Sequence, residues 1–252
     1  MRIENPGGGY SFLKGISPYS AGVVASPGFE IVHVRLDPAL PLRQGFAAID
    51  RYLEEQHRRQ QALCAVELRI PRPFTFQGFQ DFNAVYVSIL KSWGILQDGL
   101  NPVARTNVAP QKGAPSEPVL YAFSITLPAR DVPPTFVVAG AGELPEGSLD
   151  PHDVVRRGET SADALREKAR FVMGLMSARL NGLGATWGAV SSTQIYTVHD
   201  IHPFLAGDVL DPMGTAARHG INWHFARPPI QSIEYEMDLR ACRREIIMAG
   251  LP

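Results

Sequence analysis

Apolar and polar positions along this chain follow a strand–helix–strand–helix order that occurs twice. Residues 28–36 (G-F-E-I-V-H-V-R-L) alternate with a period of two, which predicts a strand with one buried face. Over 41–61, Phe46, Ile49, Tyr52 and Leu53 recur at helical spacing, and the segment ends in the basic run His57-Arg58-Arg59. Residues 63–70 predict a second strand. Residues 79–93 predict a helix with Phe82, Val85, Tyr86, Ile89 and Leu90 on one stripe, stopped by Gly94. Residues 118–127 are again strand-like. After the turn-rich joint Asp131-Val132-Pro133-Pro134 the series restarts: a strand at 135–141, a long amphipathic helix at 160–183, and a strand within 187–198. Thr160 and Asp163 serve that helix's first turn, and Gly182 and Gly184 its end. A mixed segment at 201–219 is broken by Pro203 and Pro212. Residues 1–16 read as an irregular lead-in, with Gly7-Gly8-Gly9 as a flexible joint.

The strictest alternation lies at 233–241. Ile233, Tyr235, Met237, Leu239 and Ala241 share one face of a strand, and Glu234, Glu236, Asp238 and Arg240 share the other. Three carboxylates on one face repel each other unless cations or protons compensate. Such a face is either a solvated outer surface or the lining of an acidic cavity beside an anchored guanidinium. Arg227 stands just upstream, and Pro228 and Pro229 keep its surroundings non-helical. An arginine's planar fork grips a carboxylate with two hydrogen bonds. The alternative is a structural ion pair with Glu234 or Glu236. Glu236, mid-strand, is the candidate to position and deprotonate water, against a cross-strand salt bridge with Arg240 or Arg243.

Ala104-Arg105 occupies the same place in the first half that Ala226-Arg227 occupies in the second. The doubled order predicts an α+β chain of two tandem repeats, 1–130 and 131–252, each of ~125 residues, a comfortable domain size. The first repeat has Val119 to Ser124 and no carboxylate where the second has its acids, which predicts that the two halves have diverged in role.

Composition narrows the field. A formal net charge of −1 gives no electrostatic case for nucleic acid or an anionic membrane. Cys64 and Cys242 lack CxxC spacing and read as buried thiols in a reducing compartment. The start has no apolar signal-peptide region, and no apolar run is long enough to span a bilayer, so a soluble cytoplasmic protein is expected. His199 and His202 have i,i+3 spacing but no marked third ligand, so no metal is expected. Gly140-Ala141-Gly142 lacks the third glycine of a dinucleotide site. Neither G-x-S-x-G nor H-E-x-x-H occurs.

Several short motifs, in order, resemble the YjgF/RidA family. Ser17-Pro18-Tyr19-Ser20-Ala21-Gly22-Val23 is similar to its Gly-Pro-Tyr-Ser-Gln-Gly-Val opening, and Phe79, Asn83 and Tyr86 to its Phe-x-x-x-Asn-x-x-Tyr helix. The strand from Thr135, the Phe225-Ala226-Arg227-Pro228 stretch and Tyr235-Glu236-Met237-Asp238 resemble its later motifs. The resemblance implies two tandem chorismate-mutase-like domains, each a mixed β-sheet with two helices packed on one face. It implies a homotrimer of six repeats with sites in the clefts between subunits. It further implies hydrolysis of an enamine or imine to a keto acid and ammonia, with no metal or organic cofactor. Arg227 would hold the substrate carboxylate, Glu236 would place water, and Tyr19 would line the pocket. Arg105, Trp223 and Tyr235 complete the expected substrate-binding set. The fused form is similar to two-domain deaminases of 2-aminomuconate-type compounds. Pro229 stands where the family often has cysteine, and the Leu-Pro turn between the last strands is missing or reshaped. The alternative is a non-catalytic module that binds a small keto or amino acid. An RNA-directed role, a third option, is opposed by the near-neutral charge.

Overall fold

The computed structural model describes residues 2–148 and 150–249, which form two mixed β-sheets stacked on one another. The seven-stranded sheet runs β1 (Arg2–Asn5), β2 (Tyr10–Leu13), β3 (Gly22–Ala25), β8 (Phe136–Gly142), β12 (Glu236–Ala241), β9 (Ser192–Tyr196), β10 (Asn222–His224). The six-stranded sheet runs β11 (Ala226–Arg227), β6 (Ala104–Pro110), β5 (Leu63–Arg69), β7 (Val119–Pro128), β4 (Phe29–Pro41), β13 (Arg244–Ala249). Between them Tyr10, Phe12, Val23, Ile31, Cys64, Ala65, Ala104 and Ala139 form a shared core. Its small members, Cys64 and three alanines, let the two sheets approach closely.

Helices cover the outer faces. α1 (Leu42–Glu55) and α2 (Phe76–Ser92) pack on the six-stranded sheet through Phe46, Ile49, Leu53, Tyr86 and Leu90, against Val66, Leu68, Phe123 and Ile125. α3 (Ala162–Leu183), joined by short helical turns between His202 and His219, packs on the seven-stranded sheet against Phe136, Val138, Met237 and Leu239. Ser161 caps α3 by accepting from the Ala164 amide, and Gly184, at φ 76°, ends it in the left-handed region.

This strand order corrects the expected pair of tandem YjgF/RidA-like domains, each with its own sheet and two helices. Strands β1 to β3, from the first half, lie in one sheet with β8, β9 and β12. β11 and β13, from the second half, form the two edges of the other sheet. Of the three long helices, two cover one sheet and one covers the other. Alternation shows which side chains share a face, but not which strand becomes the neighbour.

Smaller corrections follow the same logic. The lead-in is a β1–β2 hairpin, and Gly7-Gly8-Gly9 is its tight turn: a Cβ on Gly8 would overlap the Gln61 carbonyl and the Tyr10 ring. The segment around Arg105 is strand β6. Val85, expected on the apolar stripe of α2, is exposed. Among the described residues no helix is long and apolar enough to cross a membrane.

Candidate active site

The apolar set of β12, Met237, Leu239 and Ala241, packs under α3, which turns Glu236 and Asp238 the other way, between the sheets. Both are almost fully buried, so the acidic face lines the interior and is not a solvated surface. Glu234 falls before the strand.

Glu236 opens into a cleft of about 690 Å³, its open mouth included. Tyr19, Arg105, Asn107, Arg179 and the loop from Leu144 to Ser148 line it as well. Arg105 comes from β6 and is only 2% exposed. Its Nη2 donates to Asn83 Oδ1 on α2 at 2.7 Å. Its guanidinium carbon lies 4.7 Å from the Tyr86 ring centroid, 4.8 Å from Tyr19 and 5.5 Å from Phe79. An aromatic box of this kind holds a cation in place without neutralising it. Its Nη1 has no hydrogen-bond partner among the described residues, and neither amide atom of Asn107 has one. Buried polar atoms are rarely left so, and the donors among them, Arg105 Nη1 and Asn107 Nδ2, are groups that a carboxylate in the cleft would satisfy.

Burial, reinforced by the charge of Asp238, pushes the Glu236 carboxyl well above the usual carboxylate range, while Arg179 and Arg105 pull against the shift. The group is therefore poised to carry a proton in a site that also holds two guanidinium groups. Gly140 on β8 makes room for it. A Cβ there would overlap Glu236 Oε1 and come within 3.2 Å of Thr106 Oγ1. Gly140→Ala is expected to displace the carboxyl and lower kcat by about tenfold or more with the fold kept. Steady-state rates beside matched thermal melts check this.

A smaller inner cavity adjoins the cleft through Arg105 and is lined by His33, Glu67, Thr106, Asp238 and Arg240. Asp238 is pushed up to about 6, first by burial and then by Glu67. Tyr196 Oη donates to it at 2.8 Å. Glu67 is held below the usual range despite its burial, because His33 Nε2 lies 2.9 Å from its Oε1 and Arg240 and Arg69 are close by.

The structure brings Tyr19, Arg105 and Glu236 together and leaves the other expected residues elsewhere. Arg227 does not line the cleft. Its side chain is 38% exposed, and its Nη1 pairs with Glu234 Oε2 at 3.0 Å. The same Glu234 oxygen lies 2.8 Å from His199 Nε2. Trp223 sits on edge strand β10, where its Nε1 donates to the Thr197 carbonyl at 3.0 Å. Tyr235 points into the α3-side core beside Phe204.

Arg179, Asn107 and Gly140 also line the cleft and are not among the residues expected from the sequence. Arg179 carried a signal: it lies on the stripe Met176, Leu180, Leu183 of α3, a charge at core-facing helical spacing. Among the described residues no group of three His, Cys, Asp or Glu side chains is placed to hold a metal ion.

Residues 2–246 match the model of a family described as 2-aminomuconate deaminase CnbZ. The chain is 43% identical over 244 residues to a 2-amino-5-chloromuconate deaminase from Comamonas testosteroni, covering 96% of each chain. Among solved structures, it is similar to a chorismatase at a TM-score of 0.45 and 8% identity, covering 95% of this chain and 78% of that one. A cyanuric acid hydrolase aligns at a TM-score of 0.43 and 9% identity, covering 88% of this chain and 69% of that one. The matching family model and relative do not support the expected YjgF/RidA membership, while the resemblance to 2-aminomuconate-type deaminases stands. The short motifs behind the YjgF/RidA resemblance (Tyr19, Phe79, Asn83, Tyr86) gather around Arg105. They marked a site and not a strand order.

Proposed function

Because the chain belongs to the 2-aminomuconate deaminase CnbZ family, we propose that it removes the amino group of a 2-aminomuconate-type dienamine as ammonia, leaving the keto or enol acid. One observation carries the site assignment: a buried arginine whose Nη1 has no hydrogen-bond partner among the described residues, and a buried glutamic acid whose carboxyl is pushed toward its protonated form, line the same cleft.

In this reading Arg105, not Arg227, holds the carboxylate next to the amino-bearing carbon. Glu236 starts protonated. It gives its proton to a ring-opened chain carbon conjugated with the nitrogen, and the enamine becomes an iminium ion. The resulting glutamate takes a proton from water as the water oxygen bonds to the iminium carbon, giving a neutral carbinolamine and restoring the acid. Glu236 then protonates the nitrogen, the carbon–nitrogen bond breaks, and ammonia leaves. The remaining hydroxyl proton returns to the glutamate. Water is consumed, ammonia is released, and Glu236 ends in the state in which it began. A carboxyl with a raised pKa suits both donor and acceptor duty.

The first step needs the acid form. The expected kcat is therefore level at low pH and falls as pH rises through the raised Glu236 pKa, about tenfold per unit at its steepest. A pH–rate profile taken at saturating substrate checks the sign. A limb that rises with pH would assign Glu236 to base duty alone.

The decisive assay is stoichiometric. A 2-aminomuconate generated in situ is expected to lose its dienamine absorbance and yield one ammonia per molecule. Binding without ammonia release would instead make the chain a non-catalytic module.

A further inference from the structure

We propose that Arg179 is a second carboxylate subsite for a dicarboxylate substrate, and that Glu146 occupies it as an exchangeable stand-in when the cleft is empty. This rests on the reading of Arg105 as holder of the first carboxylate. Arg179 enters the cleft from α3 and is 7% exposed. Its Nη1 is committed to the protein, donating to the Ala139 carbonyl at 2.8 Å and less closely to that of Gly140 at 3.4 Å. The guanidinium is therefore fixed to the backbone of β8 and cannot swing away.

The opposite side of the fork is the side that receives a carboxylate through two parallel bonds, from Nε and Nη2. Here Nε donates to Glu146 Oε1 at 2.5 Å, and Nη2 carries no hydrogen bond to the described residues. Glu146 thus uses one oxygen on a two-bond face. Its side chain is 45% exposed, and it belongs to the Leu144–Ser148 loop at the rim of the cleft. A buried, backbone-anchored cation held by a half-exposed carboxylate from a rim loop is a poor permanent pair, since an exposed partner keeps most of its solvation when released. A substrate carboxylate in the cleft would take both donors and return Glu146 to water. With Arg105 supplying the first fork, the cleft then selects for chains with an acid at each end.

Two unreactive probes separate the subsites: hexa-2,4-dienedioate, with two carboxylates, and hexa-2,4-dienoate, with one. Dissociation constants are measured by calorimetry at fixed ionic strength. Glu146→Gln is expected to tighten the diacid about three- to fivefold, by removing the competitor, and to leave the monoacid unchanged. Arg179→Lys is expected to weaken the diacid by about tenfold or more, with the monoacid again unchanged. Glu146 lies on a rim loop, so its glutamine variant should fold and tests the proposal even where Arg179→Lys does not fold; a folded Arg179→Lys with unchanged diacid binding would overturn it. Weaker or unchanged diacid binding by Glu146→Gln would show that Glu146 steadies Arg179 or does nothing, and would overturn the subsite. So would an equal shift for both acids. A monoacid lost in Arg105→Gln, beside a diacid that binds wild type no tighter than the monoacid, would leave the Arg105 reading standing and sink the subsite alone. Failure of both acids to bind the wild-type chain would sink both.

Discussion

Glu236→Gln is expected to lower kcat about a thousandfold while leaving KM within a few-fold of wild type. Glutamine matches the shape of the protonated acid and can still donate a hydrogen bond, but it cannot give up and regain a proton. Loss of a positioned acid–base group typically costs between a hundred- and ten-thousandfold. Burial pushes the wild-type carboxyl toward its neutral form, whose shape glutamine matches, so the fold should tolerate the substitution. Stability against pH gives a second readout. A carboxyl whose folded pKa lies above its unfolded value contributes stability below the unfolded pKa, and that contribution fades as pH rises through the folded one. Wild type should therefore lose thermal stability with rising pH more steeply than Glu236→Gln. A variant that keeps kcat but raises KM would move Glu236 from proton transfer to binding.

Arg105→Lys is expected to lower kcat/KM by at least about a hundredfold. Lysine keeps the charge but loses the fork, and with it both the bond to Asn83 and the free Nη1. Truncating one member of a buried, hydrogen-bonded charge pair typically costs about 2–5 kcal/mol, which spans that change. Arg227→Lys is the matched control. Its pairing with Glu234 is more than a third exposed on the arginine side, and pairs of that kind are worth about 1 kcal/mol or less, so near-normal turnover is expected. Steady-state kinetics on both variants, with melts to confirm folding, decides between them. The opposite ranking would return the carboxylate to Arg227.

Much of the local structure was legible. The strict alternation at 233–241 placed Glu236 and Asp238 together on the face opposite Met237 and Leu239, and the structure buries both. The helical stripe of 160–183 became α3, and the strands at 63–70 and 135–141 became β5 and β8. Sheet membership was not legible. Nothing in the residues Gly22–Ala25 says that Val23 will pair with Val137 of β8, and the apparent duplication of the order hid that exchange. The two arginines were hard to tell apart for a related reason. Ala104-Arg105 and Ala226-Arg227 look alike in sequence, but β6 lies inside its sheet while β11 is an edge, so one guanidinium is enclosed by aromatic rings and the other meets Glu234 near solvent. Arg179 was visible as a charge on an apolar stripe, but its partner Glu146 is 33 residues away and only the fold brings them together.

In the proposed reaction the substrate carboxylate is held at Arg105, within reach of Glu236. A crystal structure of Glu236→Gln soaked with hexa-2,4-dienedioate tests it most directly. The expected density places one carboxylate within hydrogen-bonding distance of Arg105 Nη1 and Asn107, with the chain running past residue 236. A diacid bound at Arg227, with the Arg105 cleft empty, would contradict the account.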